Sequence, residues 1–539
     1  MSYNASSMKS KKSQSEHPVK LIIYTITLLA SFVYIIYRAI FTLPVRLGML
    51  NLAFGLLVFI VELIECFEFF VYYWNILRYK KTSPKIPDAE KADFPDVDVF
   101  IATVNEGEKL LAKTLKACSE MRYPDQKKVH IYLCDDGNRK KMRKLAKKYG
   151  AGYISRSNND YAKAGNYNNA LKHTESPLIA IFDADMRPKK NFLMKTVPFF
   201  VSEEKVGFVQ TPQSFRNPDI FQARLGGQMP FEQDYFYHYI QLARNHTNST
   251  ILCGTNCVIS REALKSAGGF AWATIAEDVA TGMLMEAKGY RGIAIAGVLA
   301  RGEAVDDLSG FLKQRSRWGR GCIQTAKAYG IFTVRGLNIR QKFDYFVAIN
   351  YWVFGIRRML YLILPLLFAF FDIIVIKGDL ITFVVVFFAQ YLLKRFVVDW
   401  LEGSHKSSTW TKIYELVQAP YLAVAVFKEL IGLSSKKFVV TEKGKSKKKS
   451  AWTDVIMFAC HMALLCANGL GIAYVIMRSQ ALGLKLFAIP LVWMAVNMFY
   501  LLLAIVFDLR PSRRHRSDFK PNQYEKYSWR AFAGIFRGK

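Results

Sequence analysis

Leu178-Ile179-Ala180-Ile181-Phe182-Asp183-Ala184-Asp185 is a run of five apolar residues closed by an acid-x-acid triplet. A short, continuous apolar run bounded by charge reads as a strand buried on both faces. Such strands belong to mostly parallel sheets covered by helices. Two earlier runs repeat the pattern: Val97 to Thr103 leads into Asn105-Glu106, and Val129 to Cys134 leads into Asp135-Asp136. Helical stretches alternate with them, so the segment from Asp96 to about Gly330 is expected to be an α/β domain. Open α/β sheets bind ligands at the carboxyl ends of their strands, where these polar residues stand. By the same criterion Asp96-Val97-Asp98, which precedes a strand rather than following one, is only a lead-in.

Outside this domain the texture changes. The chain has 539 residues, 52% apolar and 14% aromatic, yet 22% are charged and mean hydropathy is +0.10. That combination implies segregated blocks, some suited to lipid and some to water. Apolar runs lie at Leu21 to Tyr37, Leu47 to about Leu77, Met359 to Ile376, Leu380 to Leu393, Val455 to Met477 and Leu486 to Phe507. About six membrane spans are expected. No small-residue cleavage site follows the first run and a second span comes at once, so the first is read as a span and not as a leader. Tyr345 to Phe354 suits the headgroup level, and Trp410 to Leu433, amphipathic and expected to break at Pro420, reads as interfacial.

The net charge of +31 raises nucleic acid as a partner. The basic runs, Lys9 to Lys20, Arg78 to Lys85, Lys436 to Lys449 and Arg510 to Lys539, instead flank apolar segments, where anionic headgroups attract them. A lipid bilayer is therefore the expected partner and nucleic acid is not. The positive-inside rule places both termini and the α/β domain in the cytoplasm. Eight cysteines carry no paired metal-ligand spacing, which argues against a disulfide framework or a zinc site, Cys253 and Cys257 included.

The resulting plan is a basic tail (1–20), a two-helix hairpin (21–78), the soluble domain (79–330), and an interfacial segment with two spans (331–400). An interfacial helix with a loop (401–450), two further spans (451–509) and a second basic tail (510–539) complete it. Glu62, Glu65 and Glu68 recur every three residues on the second span. They either face the bundle and pair with Arg357 and Arg358, or line a polar conduit.

Sugar transfer from a nucleoside diphosphate needs a cation on the leaving group, cationic donors and a base for the acceptor hydroxyl. Asp183 and Asp185 offer oxygens suited to Mg²⁺ or Mn²⁺. Glu277-Asp278 precedes the helical pattern Val279 to Ala287 and serves either as a helix cap or as a catalytic pair. Gln314, Arg317 and Trp318 share one helix face by spacing. A guanidinium suits a diphosphate and an indole suits a pyranose face, although an Arg–Trp cation–π pair explains the same residues structurally.

In this order, Asp135-Asp136, Asp183-Ala184-Asp185, Glu277-Asp278 and Gln314-Arg315-Ser316-Arg317-Trp318 resemble the motifs of processive family 2 glycosyltransferases, above all bacterial cellulose synthase catalytic subunits. Thr103-Val104-Asn105-Glu106, Lys163-Ala164-Gly165-Asn166, Gln210-Thr211-Pro212 and Cys253-Gly254-Thr255 are similar to the same family. Phe438-Val439-Val440-Thr441-Glu442-Lys443 resembles its F-x-V-T-x-K gating loop. The resemblance covers about Val97 to Gly444. It implies a GT-A-type α/β glycosyltransferase domain inserted into an all-α polytopic membrane domain. Thr103, Glu106 and Asp135 or Asp136 would contact uridine, and Lys163 the diphosphate. Asp185, helped by Asp183, would hold Mg²⁺ or Mn²⁺. Asp278 would be the general base, with Glu277 shaping the site. Gln314, Arg317 and Trp318 would bind the diphosphate and the acceptor end, and Cys253 would border the acceptor's entry. Phe438, Val440, Thr441 and Lys443 would close over the donor.

The implied activity is processive, inverting synthesis of a β-glucan from UDP-glucose, with the growing chain passed across the plasma membrane. Three departures bear on the product: Ala276 stands where the family has threonine, two spans precede the catalytic domain where bacterial cellulose synthases have four, and no carboxyl-terminal regulatory β-barrel is expected. Cellulose and a mixed β-1,3/1,4-glucan therefore both stand, with a hyaluronan- or chitin-type synthase or a non-processive lipid-linked glycosyltransferase as alternatives. A transporter with a degenerate soluble domain should have lost a metal or base carboxylate, and none is lost.

Overall fold

A computed structural model describes residues 4–77, 84–90, 93–226, 231–378, 380–398, 408–433, 447–482 and 488–512. The expected gating segment, with Phe438, Val440, Thr441 and Lys443, lies outside the described residues, as does the second basic tail from 513 onward.

The soluble domain is built on β1 (Val97–Thr103), β2 (Val129–Asp135), β3 (Gly152–Ile154), β4 (Leu178–Asp183), β5 (Arg187–Pro188), β6 (Val206–Gln210), β7 (Cys257–Ser260), β8 (Arg291–Ala294) and β9 (Ala300–Arg301). Seven of these form one sheet in the order β3-β2-β1-β4-β7-β6-β8, and β5 pairs with β9 apart from it. β1, β2, β3 and β4 run parallel, while β7 is antiparallel to both neighbours. β4 begins and ends within a residue of the quoted run, and every one of its apolar side chains is buried. Its central place explains why: apolar clusters cover both faces, one through Phe182 and Ala180, the other through Ile179 and Ile181. The chain leaves β1 toward β2 on one side and returns to β4 on the other, so a crevice opens between the carboxyl ends of β1 and β4. Ligands of open α/β sheets bind at such reversals.

Among the described residues, four helical segments are long and apolar enough to cross a membrane: Val19–Thr42, Ile339–Phe371, Ala451–Ser479 and Ala488–Leu509. Two other expected spans are helices as well. Met49–Leu77 carries the three glutamates, and Leu380–Phe396 has 17 residues. The soluble domain and the bundle share one apolar core. Phe221, Phe311 and Leu312 of the former pack with Phe354, Trp410, Val417, Leu501 and Phe507 of the latter. Burial of those rings fixes where the α/β domain sits against the helices.

The expected break at Pro420 does not occur, because the helix Ser408–Leu430 runs through it. A proline inside a helix frees the carbonyl four residues earlier. That carbonyl, on Leu416, accepts from the His461 Nε2 position at 3.3 Å. The neighbouring helix supplies the partner that the proline removes.

Candidate active site

At the end of β1, Thr103 Oγ1 donates to Glu106 Oε2 at 2.6 Å, and the same oxygen accepts the Val104 N–H at 2.8 Å. Glu106 thereby folds its own turn. The two aspartates after β2 separate in role. Asp135 is fully buried, and its oxygens accept from Gly137 N–H (3.1 Å), Arg139 N–H (2.9 Å), the Arg139 guanidinium (2.9 Å) and the Tyr153 hydroxyl (2.9 Å). Arg139 also reaches Thr103 Oγ1 at 2.8 Å and the Glu106 carbonyl at 2.7 Å. Asp135 therefore holds the β1 turn through Arg139. Asp136 faces the crevice wall, and both its oxygens are taken by Arg156, at 2.6 and 2.8 Å.

Lys163, on the helix Ala162–Leu171, spans the crevice. Its Nζ donates to Asp183 Oδ1 at 2.6 Å and to the Gly254 carbonyl at 2.8 Å. Burial works against this ammonium, but the charge of Asp183, with Tyr167 and Glu277, more than offsets it and holds Lys163 well above the ordinary lysine range. It stays charged at any physiological pH. Asp185 is buried, and its Oδ2 accepts the Glu303 N–H at 2.8 Å. Asp183 is positioned by Thr255, whose hydroxyl accepts the Asp183 N–H at 2.9 Å. Two carboxylates one residue apart, one of them already holding a cationic side chain, suit a hard divalent cation. Mg²⁺ characteristically takes one or two carboxylates and completes its shell with substrate phosphates and water.

Glu277 and Asp278 open the helix Glu277–Ala287. The N-cap position is Ala276 and no side chain caps this helix; Asp278 Oδ1 accepts the adjacent Val279 N–H, at 2.9 Å, and the carboxylate faces the crevice. Gly254 makes room for it. This glycine has φ +68°, and a Cβ there would come within 2.7 Å of Asp278 Oδ2. Burial, then the neighbouring charge of Asp278, pushes Glu277 up to about 7. Burial also raises Asp278, against the opposing pull of Lys163. Both carboxylates are therefore displaced upward from the usual acid range, Glu277 to about 7.

The helix Leu308–Tyr329 closes the other side. It presses on the Ala276-Glu277-Asp278 segment at Gly321, where a Cβ would meet Ala276 Cβ at 2.6 Å. Thr274 Oγ1 donates to the Gly321 carbonyl at 2.8 Å, and the Ile275 N–H donates to Gln324 at 3.1 Å. Gln314, Arg317 and Trp318 all face the crevice. A cation–π pair exists on this helix, but it belongs to Arg315. That guanidinium lies 4.3 Å from the Trp318 ring and pairs with Glu232 at 2.8 Å. Arg315 fixes the indole, and Arg317 remains on the crevice side. Cys253 also borders it, with its N–H donating to Gln210 at 2.8 Å.

One cavity of about 3120 Å³ joins these groups. Thr103, Glu106, Asp136, Lys163, Asp183, Asp185, Cys253, Glu277, Asp278, Gln314, Arg317 and Trp318 line it, and Asp135 does not. From Trp318 the cavity continues past Trp352 into the helix bundle, bounded there by Tyr361, Trp493, Asn497 and Tyr500. Glu62, Glu65 and Glu68 line this inner part as well. The expected pairing holds for one of them: Glu68 pairs with Arg357 at 2.6 Å, whereas Glu62 pairs with Arg38 at 2.7 Å. Arg358 pairs with Glu415 instead.

Arg139, Arg156, Arg315 and Glu232 escaped the reading of the sequence. Arg139 had a signal, standing four residues after Asp135 in the loop that β2 feeds. Arg156 and Glu232 are 20 and 83 residues from their partners, and no spacing rule connects such positions.

Residues 95–321 match the model of glycosyltransferase like family 2, and residues 242–485 match that of cellulose synthase. Cellulose synthase 2 of Novacetimonas hansenii is 31% identical over 506 residues, covering 92% of this chain and 31% of that protein. The cellulose synthase catalytic subunit (UDP-forming) of Pseudomonas fluorescens is 30% identical over 486 residues, covering 89% of this chain and 65% of that protein. The chain thus spans less than two thirds of the length of either relative. Among solved structures, a mannosyltransferase from Pyrobaculum calidifontis in complex with GDP-Man and Mn²⁺ aligns with a TM-score of 0.48 and 20% identity. That alignment covers 72% of this chain and all of the other.

Proposed function

This chain belongs to the family 2 glycosyltransferases, and from that premise we propose that it polymerises glucose from UDP-glucose into a β-glucan. The product, cellulose or a mixed β-1,3/1,4-glucan, would leave through the helix bundle across the plasma membrane, with the catalytic domain on the cytoplasmic side. The observation that carries the reading is the continuity of one cavity. It runs from the acidic strand ends, past Asp278 and Trp318, to the aromatic and polar side chains of the bundle. A transferase that released a small product into water would have no use for the inner half.

In this reading Asp278 accepts the proton of the acceptor hydroxyl as that oxygen forms its bond to the anomeric carbon of the donor. The bond from that carbon to the diphosphate breaks on the opposite face, so one displacement inverts the α-linked donor to a β-linkage. Lys163 and Arg317 stabilise the negative charge on the departing UDP. Asp183 and Asp185 would hold Mg²⁺ or Mn²⁺, which supplies further neutralisation of the diphosphate. Trp318, locked by Arg315, presents a flat apolar face against which the terminal sugar of the acceptor stacks. The aromatic side chains further in offer the same kind of surface to the sugars that follow.

Purified protein in nanodiscs, given UDP-glucose, UDP-N-acetylglucosamine or UDP-glucuronate with Mg²⁺ or Mn²⁺, tests this. Polymer is expected from UDP-glucose alone, and linkage-specific glucanases then identify the bond. Polymer made only from N-acetylglucosamine would replace the glucan reading with a chitin-type one.

A further inference from the structure

Outside the crevice, three arginines that the catalytic reading leaves unused meet on one small ribbon. β5 and β9 pair antiparallel, with Arg187 directly opposite Arg301 and Pro188 opposite Ala300. Pro188 and Ala300 are buried, Ala300 in the apolar cluster that also holds Ala180 and Phe182. Side chains alternate along a strand, so Arg187 and Arg301 share the opposite face. Arg216 joins them from the segment beside β9. Its backbone N–H donates to the Gly302 carbonyl at 3.0 Å and its Nε–H to the Arg301 carbonyl at 3.4 Å.

Like charges facing each other across two strands are destabilising, and little offsets them here. Among the described residues one ion pair reaches the three, from Arg187 Nη2 to Glu303 Oε1 at 3.5 Å. The Nε–H groups of Arg187 and Arg301 are buried and find no acceptor among the described residues. A buried donor in that state has given up water without a replacement. Burial, then the charges of Arg187 and Arg301, holds Arg216 below the ordinary arginine range, and burial, then Arg301, does the same to Lys189. The ribbon thus concentrates positive charge and leaves donors unused.

We infer that Arg187, Arg216 and Arg301 bind a phosphate group, carried by a small soluble anion or by a lipid headgroup. Planar guanidinium forks match phosphate oxygens two at a time, and an anion between them turns mutual repulsion into shared attraction. Arg216 is exposed and the other two partly so, which leaves the anion a way in. The three do not line the catalytic cavity, so this site is separate from the crevice that would take the donor diphosphate. It adjoins that crevice from behind: a Cβ on Gly302 would sit 2.9 Å from Asp185 Oδ2, and the Glu303 N–H donates to the same oxygen. The headgroup stands as a source because Ser512, just past the last membrane helix, donates to the Asp306 carbonyl at 2.9 Å, shortly after Arg301 in the chain.

The test follows thermal unfolding of the full-length protein in phosphatidylcholine nanodiscs as inorganic phosphate is added, with sodium chloride at matched ionic strength as the reference. EDTA is present, so that no divalent cation bridges phosphate to Asp183 and Asp185. A ligand of the native state raises the unfolding temperature with its concentration. The wild type should show that rise, and Arg301→Gln and Arg216→Gln should each weaken the phosphate affinity about tenfold, the loss of one charge-assisted contact. Without phosphate, Arg301→Gln should melt no lower than the wild type, because it removes one of two facing charges. Nanodiscs containing phosphatidylglycerol separate the sources. If a headgroup fills the site, the wild type gains stability there and the two variants do not, while free phosphate has little effect in phosphatidylcholine. An equal rise in the wild type and both variants overturns the site, as does a wild type that responds to neither phosphate nor phosphatidylglycerol. Arg301→Gln melting well below the wild type in phosphate-free buffer overturns it too, since the arginine would then serve the fold.

Discussion

The two halves of the cavity handle charge in opposite ways. In the bundle, glutamates come with arginines: Arg38 on Glu62, Arg357 on Glu68 and Arg358 on Glu415. At the donor end Asp183, Asp185, Glu277 and Asp278 converge, and Lys163 bonds one of them, Asp183. Glu277 and Asp278 instead stand side by side, with their titration displaced upward. A conduit for a neutral polymer benefits from balanced charge, because an unpaired ion in a low-dielectric wall is costly and would bind rather than pass its cargo. A reaction centre needs the opposite, an excess of carboxylate that a metal ion, a diphosphate's counter-charges or a substrate proton can satisfy.

Removing the proposed base should break the donor end most severely. Asp278→Asn keeps shape and removes proton acceptance, and loss of a general base typically costs on the order of 10²–10⁴-fold in rate. Synthesis from UDP-glucose should fall by at least a hundredfold while UDP binding, measured by calorimetry, changes little. Retention of more than a tenth of wild-type kcat would remove Asp278 from that role. A smaller effect is expected from Gly254→Ala. Its φ of +68° and a Cβ at 2.7 Å from Asp278 Oδ2 force the carboxylate to move. Displacement of this order should cost roughly 10- to 100-fold in kcat, since orientation is a large part of catalysis. The protein should remain folded, as judged by its thermal melting profile.

The pair's titration gives the next test. As the proposed base Asp278 works only when ionised, and both carboxylates are raised, Glu277 to about 7. Activity should therefore decline with falling pH earlier than an ordinary carboxylate would set. Glu277→Gln removes the group that burial and the charge of Asp278 raise to about 7, so any part of the acid limb that follows Glu277 should be lost and the kcat profile should become a single step at lower pH. A profile that does not move would show that the two groups are not coupled in the working enzyme.

Why the donor end was legible in the sequence, and its supports were not, follows from the same contrast. Strand β4 and the triplet after it were visible because a two-sided burial demands an unbroken apolar run, and because the ligand crevice lies at the strand's end. Asp183, Asp185, Glu277, Asp278 and the Gln314, Arg317 and Trp318 face could thus be named from short-range pattern and from a family's motifs. Arg156, Arg315 and Glu232 could not, because their partners are brought to them by the folded chain and leave no periodic trace. Asp135 and Asp136 look equivalent as neighbours, yet one is turned inward to Arg139 and the other toward the crevice, a difference that only the β2 register decides. Pro420 misled for a related reason: the acceptor it frees, the Leu416 carbonyl, is satisfied by His461, 45 residues away. In the bundle, a spacing of three puts the glutamates on one side of their helix but does not say which arginine meets which: Glu62 meets Arg38 and Glu68 meets Arg357.

The smallest effect should come from the bundle itself, and it discriminates between balance and chemistry. Glu68 and Arg357 are both largely buried and 2.6 Å apart, with Asn350 also donating to Glu68 at 2.5 Å. Arg357→Gln alone leaves the glutamate uncompensated on the cavity wall. Breaking such a pair from one side typically costs about 3–5 kcal/mol when the site is buried, so a lower melting temperature and a reduced polymer yield are expected. Adding Glu68→Gln removes the stranded charge while keeping two hydrogen-bonding side chains of similar size, and replacing both partners together is often close to neutral. The double variant should recover melting temperature and polymer yield to within about twofold of wild type. If it stays as impaired as the single variant, the Glu68–Arg357 charges themselves act on the passing chain, and the bundle is not the neutral half that its ion pairs imply.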